Sequence, residues 1–181
     1  MKPGKNWQRI WDIMSNVKYE YELYAPMCQW LEQRLQDKYK GEKCKIIVED
    51  THSVTLDSVL IRNNLIAQYP QAVGLDIQID VLGMVVFEKK SELFFIEAKK
   101  TMLNLHDLGQ LWAYCKLINP SSAFLLSSQG LGCLDKILKN LKREDMLDFG
   151  NGKILKKMYF TCKRYEEFSA TKTPRYILSS L

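Results

Sequence analysis

Cysteines and long apolar runs are both scarce in this 181-residue chain. Its cysteines are odd in number, no two form a Cys-x-x-Cys pair, and they are Cys28, Cys44, Cys115, Cys133 and Cys162. This pattern argues against a disulfide framework and a structural zinc site, and it favours a reducing cytoplasm. No run approaches the ~18 consecutive apolar residues that a membrane-spanning helix requires. The amino-terminal residues lack the apolar core of a secretion signal, so we expect a cytoplasmic protein that does not bind membranes.

Internal repeats, low-complexity tracts and linkers rich in Pro, Ser or Gly are also absent. Apolar residues make up 46% of the chain and charged residues 26%, a balance typical of a folded globular domain. We therefore expect a single domain over residues 1–181, with its core at about residues 20–162.

The net charge of +5 is unevenly distributed. Residues 1–87 contain 10 Lys and Arg against 11 Asp and Glu, which gives −1. Residues 88–181 contain 16 against 10, which gives +6. A basic second half suits a polyanionic partner. A soluble surface with a mild excess of lysine explains the same numbers.

The apolar periodicity predicts an α/β domain with a mixed central sheet flanked by helices. A short helix at 7–14 and a long helix at about 22–39 come first, and Pro26 requires that Glu22 lie at the start of the long helix. Residues 50–73 are ambiguous between a helix and a loop. The remaining expected elements are strands at 44–49, 75–87, 92–99, 122–128 and 156–162, with helices at 107–118 and 133–141.

Two strand-like segments around a short polar turn, LDIQIDVLGMVVF and ELFFIEAK, predict an antiparallel β-hairpin. The second segment ends in Glu97 and Lys99, which are two positions apart and therefore share a face of the strand. Asp80 lies on the preceding strand, so two carboxylates and a lysine are expected together at one end of the sheet. An ordinary ion pair on a solvated face, worth about 0–1 kcal/mol, is the alternative for Glu97 and Lys99.

Such a cluster suits the hydrolysis of a phosphodiester. Mg²⁺ prefers octahedral oxygen ligands and usually takes one or two protein carboxylates, which Asp80 and Glu97 would provide together with the carbonyl of Ala98. The metal would lower the pKa of a bound water and neutralise phosphate charge, and Mn²⁺ is the expected substitute. Lys99 would hold the attacking water and offset developing negative charge.

Asp80 followed by Glu97-Ala98-Lys99 on the next strand resembles the PD-(D/E)XK nuclease superfamily, which includes type II restriction enzymes, Holliday-junction resolvases and RecB-like exonucleases. The order of the expected elements is similar to the αβββαβ core of that superfamily. The resemblance implies a restriction-endonuclease-like fold and a Mg²⁺-dependent DNA endonuclease of the type II restriction-enzyme type.

Two further segments extend the resemblance. The segment ELYAPMCQWLEQRL is similar to a first helix in such nucleases, where an acidic residue near the start joins the metal site, which implies this role for Glu22. The segment GQLWAY resembles the Gln-x-x-x-Tyr signature of RecB-like members and implies Gln110 and Tyr114 as site residues. Glu22 could instead only favour the helix dipole, and Gln110 and Tyr114 could lie on a plain helix surface.

The chain departs from the superfamily pattern before Asp80, where Ile79 takes the place of proline. Asp76 competes with Asp80 for the metal role. We expect Asp80 to be the ligand because it leads directly into the apolar strand.

Other polar residues have simpler interpretations. We expect His52 and His106 to be structural, since neither has a partner pattern typical of a base or a metal ligand. Four residues, Arg62, Asn63, Asn64 and Gln68, could read DNA bases or form a polar loop.

The core occupies most of the chain, so DNA recognition would come from residues 50–75, the carboxyl-terminal region or another subunit. Because duplex cleavage needs two active sites, we expect a homodimer or a larger DNA-recognition subunit as partner. The alternatives are a RecB-like or resolvase-type nuclease, and an inactive nucleic-acid-binding module of the same fold.

Overall fold

The computed structural model of the protein describes residues 17–159, and a five-stranded sheet forms their centre. The strands of this sheet are β1 (Lys45–Asp50), β2 (Val81–Val86), β3 (Ser91–Lys99), β4 (Ser122–Ser127) and β7 (Lys156–Tyr159). They are arranged in the order β1-β2-β3-β4-β7. Two short strands, β5 (Asp148–Gly150) and β6 (Lys153–Ile154), form a separate antiparallel pair.

Helices cover both faces of the sheet. They are α1 (Tyr24–Lys38), α2 (Leu56–Arg62), α3 (Leu105–Ile118) and α4 (Cys133–Asp135), the last of which continues as a π-helical segment (Lys136–Asn140). Four 3₁₀ turns complete the helical structure, at Glu20–Leu23, Ile66–Gln68, Pro70–Ala72 and Glu144–Leu147. Among the described residues, every helix is too short or too polar to cross a bilayer.

The sheet is mixed, as the sequence predicts. Strands β1, β2 and β3 pair antiparallel, whereas β3, β4 and β7 pair parallel. The predicted hairpin is therefore confirmed as β2 and β3, with Val81 opposite Ile96 and Val86 opposite Ser91. The order α1, β1, β2, β3, α3, β4 follows along the chain, with α2 inserted between β1 and β2.

The apolar core lies on both sides of the sheet because the strands alternate the faces of their side chains. Helix α1 covers one face, where the packed residues are Leu23, Met27, Leu31, Leu35, Val81, Val85, Phe94, Ile96 and Leu126. Helices α2 and α3 cover the other face, where the packed residues include Val59, Leu60, Leu108, Leu111, Leu82, Met84, Phe95 and Leu125. Strand β3 is therefore buried on both faces over most of its length.

Local sequence explains where the two long helices begin. Helix α1 begins at Tyr24, so Pro26 lies in its first turn, where a missing N–H removes no helical hydrogen bond. Helix α3 has a capping box, in which the Asn104 side chain accepts from the backbone N–H of Asp107 and the Asp107 side chain accepts from the backbone N–H of Asn104. The left-handed Asn119 ends α3.

Several expected boundaries are wrong. Glu22 lies within a 3₁₀ turn and does not begin the long helix. The strand expected at 75–87 begins only at Val81. Before it, Gln78 pairs with Thr55 in a single isolated bridge that does not extend into a strand. The ambiguous segment 50–73 contains one short helix and two 3₁₀ turns. The helix expected at 7–14, the strand residues 160–162 and Cys162 lie outside the described residues.

Helix α1 lies very close to the sheet at Gly83. A Cβ atom on Gly83 would lie 2.8 Å from Leu31 Cδ2, 3.2 Å from Leu35 Cδ1 and 3.2 Å from Phe94 Cβ. Gly109 in α3 differs, because a Cβ atom there has no heavy atom within 4 Å. The first glycine permits close packing, whereas the second only adds flexibility to a helix.

We predict that Gly83→Val lowers the free energy of unfolding by about 1–3 kcal/mol, because extra methyl groups overpack the contact with α1. Gly109→Ala should raise it by about 0.5–1 kcal/mol, because alanine favours the helix and the site is open. Urea denaturation followed by circular dichroism measures both changes. Equal stability of the Gly83→Val variant and the unmodified chain would contradict the close packing.

Candidate functional site

A polar cluster lies at the end of the sheet where β3 ends and β2 begins. If the pairing of Val81 with Ile96 is continued by one residue, Asp80 lies opposite Glu97. Lys99, the last residue of β3, follows two positions after Glu97. The structure therefore brings together the three residues that the sequence places at this end of the hairpin.

Glu97 is the most deeply buried acidic residue of the cluster, with only 2% of its surface exposed. Its Oε1 atom accepts a hydrogen bond from Lys99 Nζ at 2.9 Å and lies 3.5 Å from Gln110 Nε2. Its Oε2 atom is buried and has no hydrogen-bond partner among the described residues. A buried carboxylate oxygen without a partner is costly for the fold, and such atoms call for an explanation such as an ion.

Asp80 is held in place by the backbone and by a tyrosine. Its Oδ2 atom accepts from the backbone N–H of Ala98 at 2.8 Å, and the Tyr24 hydroxyl donates to the same carboxylate. Asp76 is exposed and lies in the loop before β2, with a φ of 48°. The structure therefore places Asp80, and not Asp76, beside Glu97.

Burial raises the pKa of both carboxyl groups, Glu97 and Asp80. Burial raises the pKa of Glu97 to about 7, the negative charge of Asp80 adds to this, and Lys99 opposes it. Burial also raises the pKa of Asp80, against the hydrogen bond from Ala98 and the charge of Lys99. A bound cation would stabilise the ionised forms of both carboxylates, so the pair favours the binding of a cation.

Lys99 stays protonated at neutral pH. Its Nζ atom lies 2.9 Å from Glu97 Oε1 and 3.7 Å from Glu20 Oε1. Burial alone would lower the pKa of Lys99, but the negative charge and hydrogen bond of Glu97 outweigh it, so the pKa is raised. The lysine thus supplies a fixed positive charge between two carboxylates.

The acidic residue that α1 was expected to contribute is Glu20 and not Glu22. Glu20 Oε2 accepts from the backbone N–H of Lys100 at 3.0 Å, and its Oε1 contacts Lys99. Glu22 Oε2 instead accepts from the backbone N–H of Lys18 at 2.9 Å, in an exposed contact within the turn. The difference arises because these residues form a 3₁₀ turn, which rotates the side chains differently from the first turn of an α-helix.

The two residues taken from the Gln-x-x-x-Tyr pattern have different surroundings. Gln110 reaches the site, with its Nε2 atom 3.5 Å from Glu97 Oε1. Tyr114 lies one turn further along α3, and its partly buried ring packs against the apolar core. Of the pair, Gln110 is therefore the one that contacts the acidic cluster.

His52 has a partner that the sequence did not suggest. Its Nδ1 atom lies 2.7 Å from Asp50 Oδ1, and its ring stacks on Tyr24 with the centroids 4.8 Å apart. Tyr24 in turn donates a hydrogen bond to Asp80, so His52 is connected to the site through Tyr24. His106, by contrast, is exposed on the first turn of α3.

The residues considered for base reading are largely engaged within the chain. Arg62 pairs with Glu49 on β1, and Asn63 Nδ2 lies 3.3 Å from Glu49 Oε1. Gln68 Oε1 accepts from Ser91 Oγ at 2.9 Å. Asn64 has a φ of 59° at the end of α2, a conformation that asparagine tolerates well. Three of the four side chains therefore have partners within the chain, and their reading of DNA bases stays a prediction.

Within residues 17–159, no group of three or more His, Cys, Asp or Glu residues is arranged as a metal-binding cluster. Asp80 and Glu97 bring two carboxylates together, and two carboxylates fit the usual protein ligands of Mg²⁺ better than those of a four-ligand zinc site. The orphaned Glu97 Oε2 fits such a cation, because it is an unpartnered buried acceptor beside a second carboxylate.

Comparison of the chain with protein-family models, with curated proteins and with solved structures gives no match. The geometry of this cluster is therefore the basis for any functional conclusion.

The raised pKa of Glu97 makes stability depend on pH. A carboxyl group whose pKa rises on folding stabilises the protein below its unfolded value of 4.5, and this contribution is lost as the pH rises to about 7. We compare the unfolding free energy of Glu97→Gln with that of the unmodified chain, both in chelator. We predict that this difference shifts in favour of the variant by about 2 kcal/mol as the pH rises from about 5 to about 8. Urea denaturation at both pH values measures this shift.

Glu92, at the other end of β3, provides the control. Burial would raise its pKa, but hydrogen bonds from Tyr39 and Ser121 and the charge of Lys38 lower it overall. A lowered pKa stabilises the fold above the unfolded value, so Glu92→Gln should lower stability at both pH values. If Glu97→Gln also lowers stability at both pH values, burial does not raise the pKa of Glu97 as described.

Proposed function

We propose that the protein is a Mg²⁺-dependent DNA endonuclease of the PD-(D/E)XK superfamily that hydrolyses phosphodiester bonds, as type II restriction enzymes do. The observation that carries this proposal is the buried, unpartnered Oε2 atom of Glu97, whose other oxygen pairs with Lys99 and whose strand position lies opposite Asp80. Structural ion pairs rarely leave a buried carboxylate oxygen without a partner, whereas a site built for a cation requires one.

The surrounding fold supports the proposal. The order helix, three antiparallel strands, helix and parallel strand agrees with a restriction-endonuclease-like αβββαβ core. In that core, the acidic and basic residues of the motif lie at the end of the second and third strands. Asp80 directly precedes β2 and lies opposite Glu97, and Glu97 and Lys99 lie at the end of β3, which supports the proposal.

Asp80, Glu97 and the carbonyl of Ala98 would hold the metal, and Glu20, which contacts Lys99 at 3.7 Å, would act through a bridging water. When bound, Mg²⁺ or Mn²⁺ supplies charge neutralisation at the phosphate and a more acidic water. Tyr24 orients Asp80 through its hydroxyl, and Gln110 contacts the Oε1 side of Glu97. These neighbours keep the carboxylates pointed at one place, which lowers the entropy cost of assembling the site.

Lys99 would act on the water and the phosphate directly, without binding the metal. Its ammonium is partly buried, stays protonated and has a flexible stem. It would donate a hydrogen bond to the attacking water or to a phosphate oxygen, and its charge would offset the negative charge that develops in the transition state.

A single domain of this size carries one such site, so cleavage of both strands of a duplex would need a homodimer or a larger DNA-recognition subunit. A RecB-like or resolvase-type activity is the nearest alternative, and the contact of Gln110 with Glu97 favours it. An inactive DNA-binding module is the alternative from another class. A cytoplasmic location stays a prediction, which rests on cysteine usage.

We predict that Asp80→Ala, Glu97→Ala and Lys99→Ala each abolish Mg²⁺-dependent nicking of a supercoiled plasmid, because each removes a member of the cluster. The chain contains a matched control, since Glu88 and Lys90 have the same acidic-x-Lys spacing at the exposed hairpin turn. Glu88→Ala and Lys90→Ala should cut at the normal rate. Chelator should stop cleavage by the unmodified chain, and substantial cleavage by a folded Glu97→Ala variant would rule out this site.

Glu20 and Glu22 give a second, finer comparison. Removing a residue that orients the first ligands typically costs 10–100-fold, so we expect Glu20→Gln to lower the cleavage rate by about that factor. Extra Mn²⁺ should restore part of it. Glu22→Gln should stay within about twofold of the unmodified chain, because its carboxylate contacts Lys18. A larger loss in Glu22→Gln than in Glu20→Gln would contradict the assignment of Glu20.

A further inference from the structure

Two exposed tyrosines flank Glu20. Tyr19 is 58% exposed and Tyr21 is 61% exposed. Their rings lie nearly parallel, with an interplanar angle of 8° and centroids 5.5 Å apart. Single exposed apolar side chains are common on protein surfaces, but two aromatic rings stacked in the open form a preorganised flat surface.

The backbone fixes this aromatic pair beside the candidate site. Glu20 lies between the two tyrosines in sequence, and its carboxylate contacts the Lys99 ammonium and the backbone N–H of Lys100. The Lys100 ammonium also donates to the carbonyl of Lys18. Neighbouring Cα atoms are about 3.8 Å apart, so the Cα atom of each tyrosine lies about that far from the Cα atom of Glu20, whose carboxylate contacts the cluster.

The rings contribute little to the core. Tyr24, the first residue of α1, is buried in the core, whereas Tyr19 and Tyr21 leave more than half of their surface in water. Their hydroxyl groups add polar edges to an otherwise apolar surface. Such a surface matches the flat face of a nucleobase, which stacks on aromatic side chains irrespective of its sequence.

We propose that the Tyr19–Tyr21 pair is a stacking platform for an unpaired DNA base, so that the site engages a single strand or a duplex that has opened locally beside the cleaved phosphodiester. The bases of an intact duplex already stack on each other and present only their edges in the grooves, so they cannot lie on these rings. The exposed Lys18 adds a cation for the adjacent phosphate. This inference rests on the proposed nuclease function for what happens after binding.

The platform also explains a conflict of charge. Glu20, Asp80 and Glu97 form an acidic cluster that repels phosphate when no cation is bound. A nucleobase carries no net charge, so the carboxylates do not repel it. A base stacked on the tyrosines would therefore hold the strand at the site although the carboxylates repel its phosphates. The phosphodiester next to the stacked base would then lie near Lys99.

The test measures binding in chelator, where no cleavage occurs, by fluorescence anisotropy of one labelled oligodeoxynucleotide as a single strand and as a duplex. We expect Tyr19→Ala/Tyr21→Ala to weaken single-strand binding about tenfold or more, since stacking is worth about 1–3 kcal/mol per base. Duplex binding should change less than about twofold. Tyr19→Phe/Tyr21→Phe keeps the rings and should bind the single strand normally.

A matched control removes exposed apolar side chains elsewhere. Ile61 is 57% exposed and Leu141 is 60% exposed, so Ile61→Ala/Leu141→Ala deletes similar exposure without an aromatic face. This variant should bind both DNAs as the unmodified chain does. Thermal unfolding of every variant checks that the fold is retained.

Three results would overturn the platform. They are the absence of measurable single-strand binding by the unmodified chain, an unchanged affinity in the alanine variant, and an equal loss on single strand and duplex. The nuclease proposal fails separately, when the unmodified chain cuts neither DNA with Mg²⁺. Loss of single-strand binding in the alanine variant would then still support the platform as a binding site.

Discussion

The burial of the Glu97 carboxylate is the constraint on which the rest of the site depends. Strand β3 has neighbours on both edges and helices over both faces, so a charge at its end is removed from water unless other groups compensate. Lys99 satisfies one oxygen of Glu97 and leaves the other without a partner. Burial of a charge is usually matched by a pairing as complete as the fold can provide. Here the pairing is incomplete, and the shortfall is located where the sheet opens to solvent.

The elements around β3 each contribute one group to this position. Helix α1 and the turn before it bring Tyr24 and Glu20 from one face, and α3 brings Gln110 from the other. The loop before β2 brings Asp80, which the Ala98 N–H holds in place. Close packing of α1 on the sheet at Gly83 keeps the first of these contributions in register with the strands. The apolar core and the polar cluster are therefore two consequences of the same helix placement.

Much of this arrangement was predictable from the sequence, because strand alternation determines which residues share a face. The hairpin and the shared face of Glu97 and Lys99 follow from that period of two. Asp76 and Asp80 share a face by the same period, so the preference for Asp80 came from its position directly before the apolar strand. The position of Glu20 did not follow, because a 3₁₀ turn and an α-helical first turn have similar sequences but direct their side chains differently. The stacking of His52 on Tyr24 was also missed, since it depends on where β1 ends and how the chain turns back. Short-range patterns thus located the strand residues, whereas contacts between distant segments required the structure.

The bond between Lys100 N–H and Glu20 joins residues that are 80 positions apart in the chain. Contacts of such long sequence separation form late, because loop closure is costly before the intervening elements pack. The hairpin can pair first and bring Asp80 opposite Glu97, while the Glu20 carboxylate reaches them only when the turn before α1 docks. No contiguous fragment shorter than this span contains the complete cluster, and Glu20 is synthesised long before the hairpin residues that it joins. The complete site therefore forms only when the whole domain has folded.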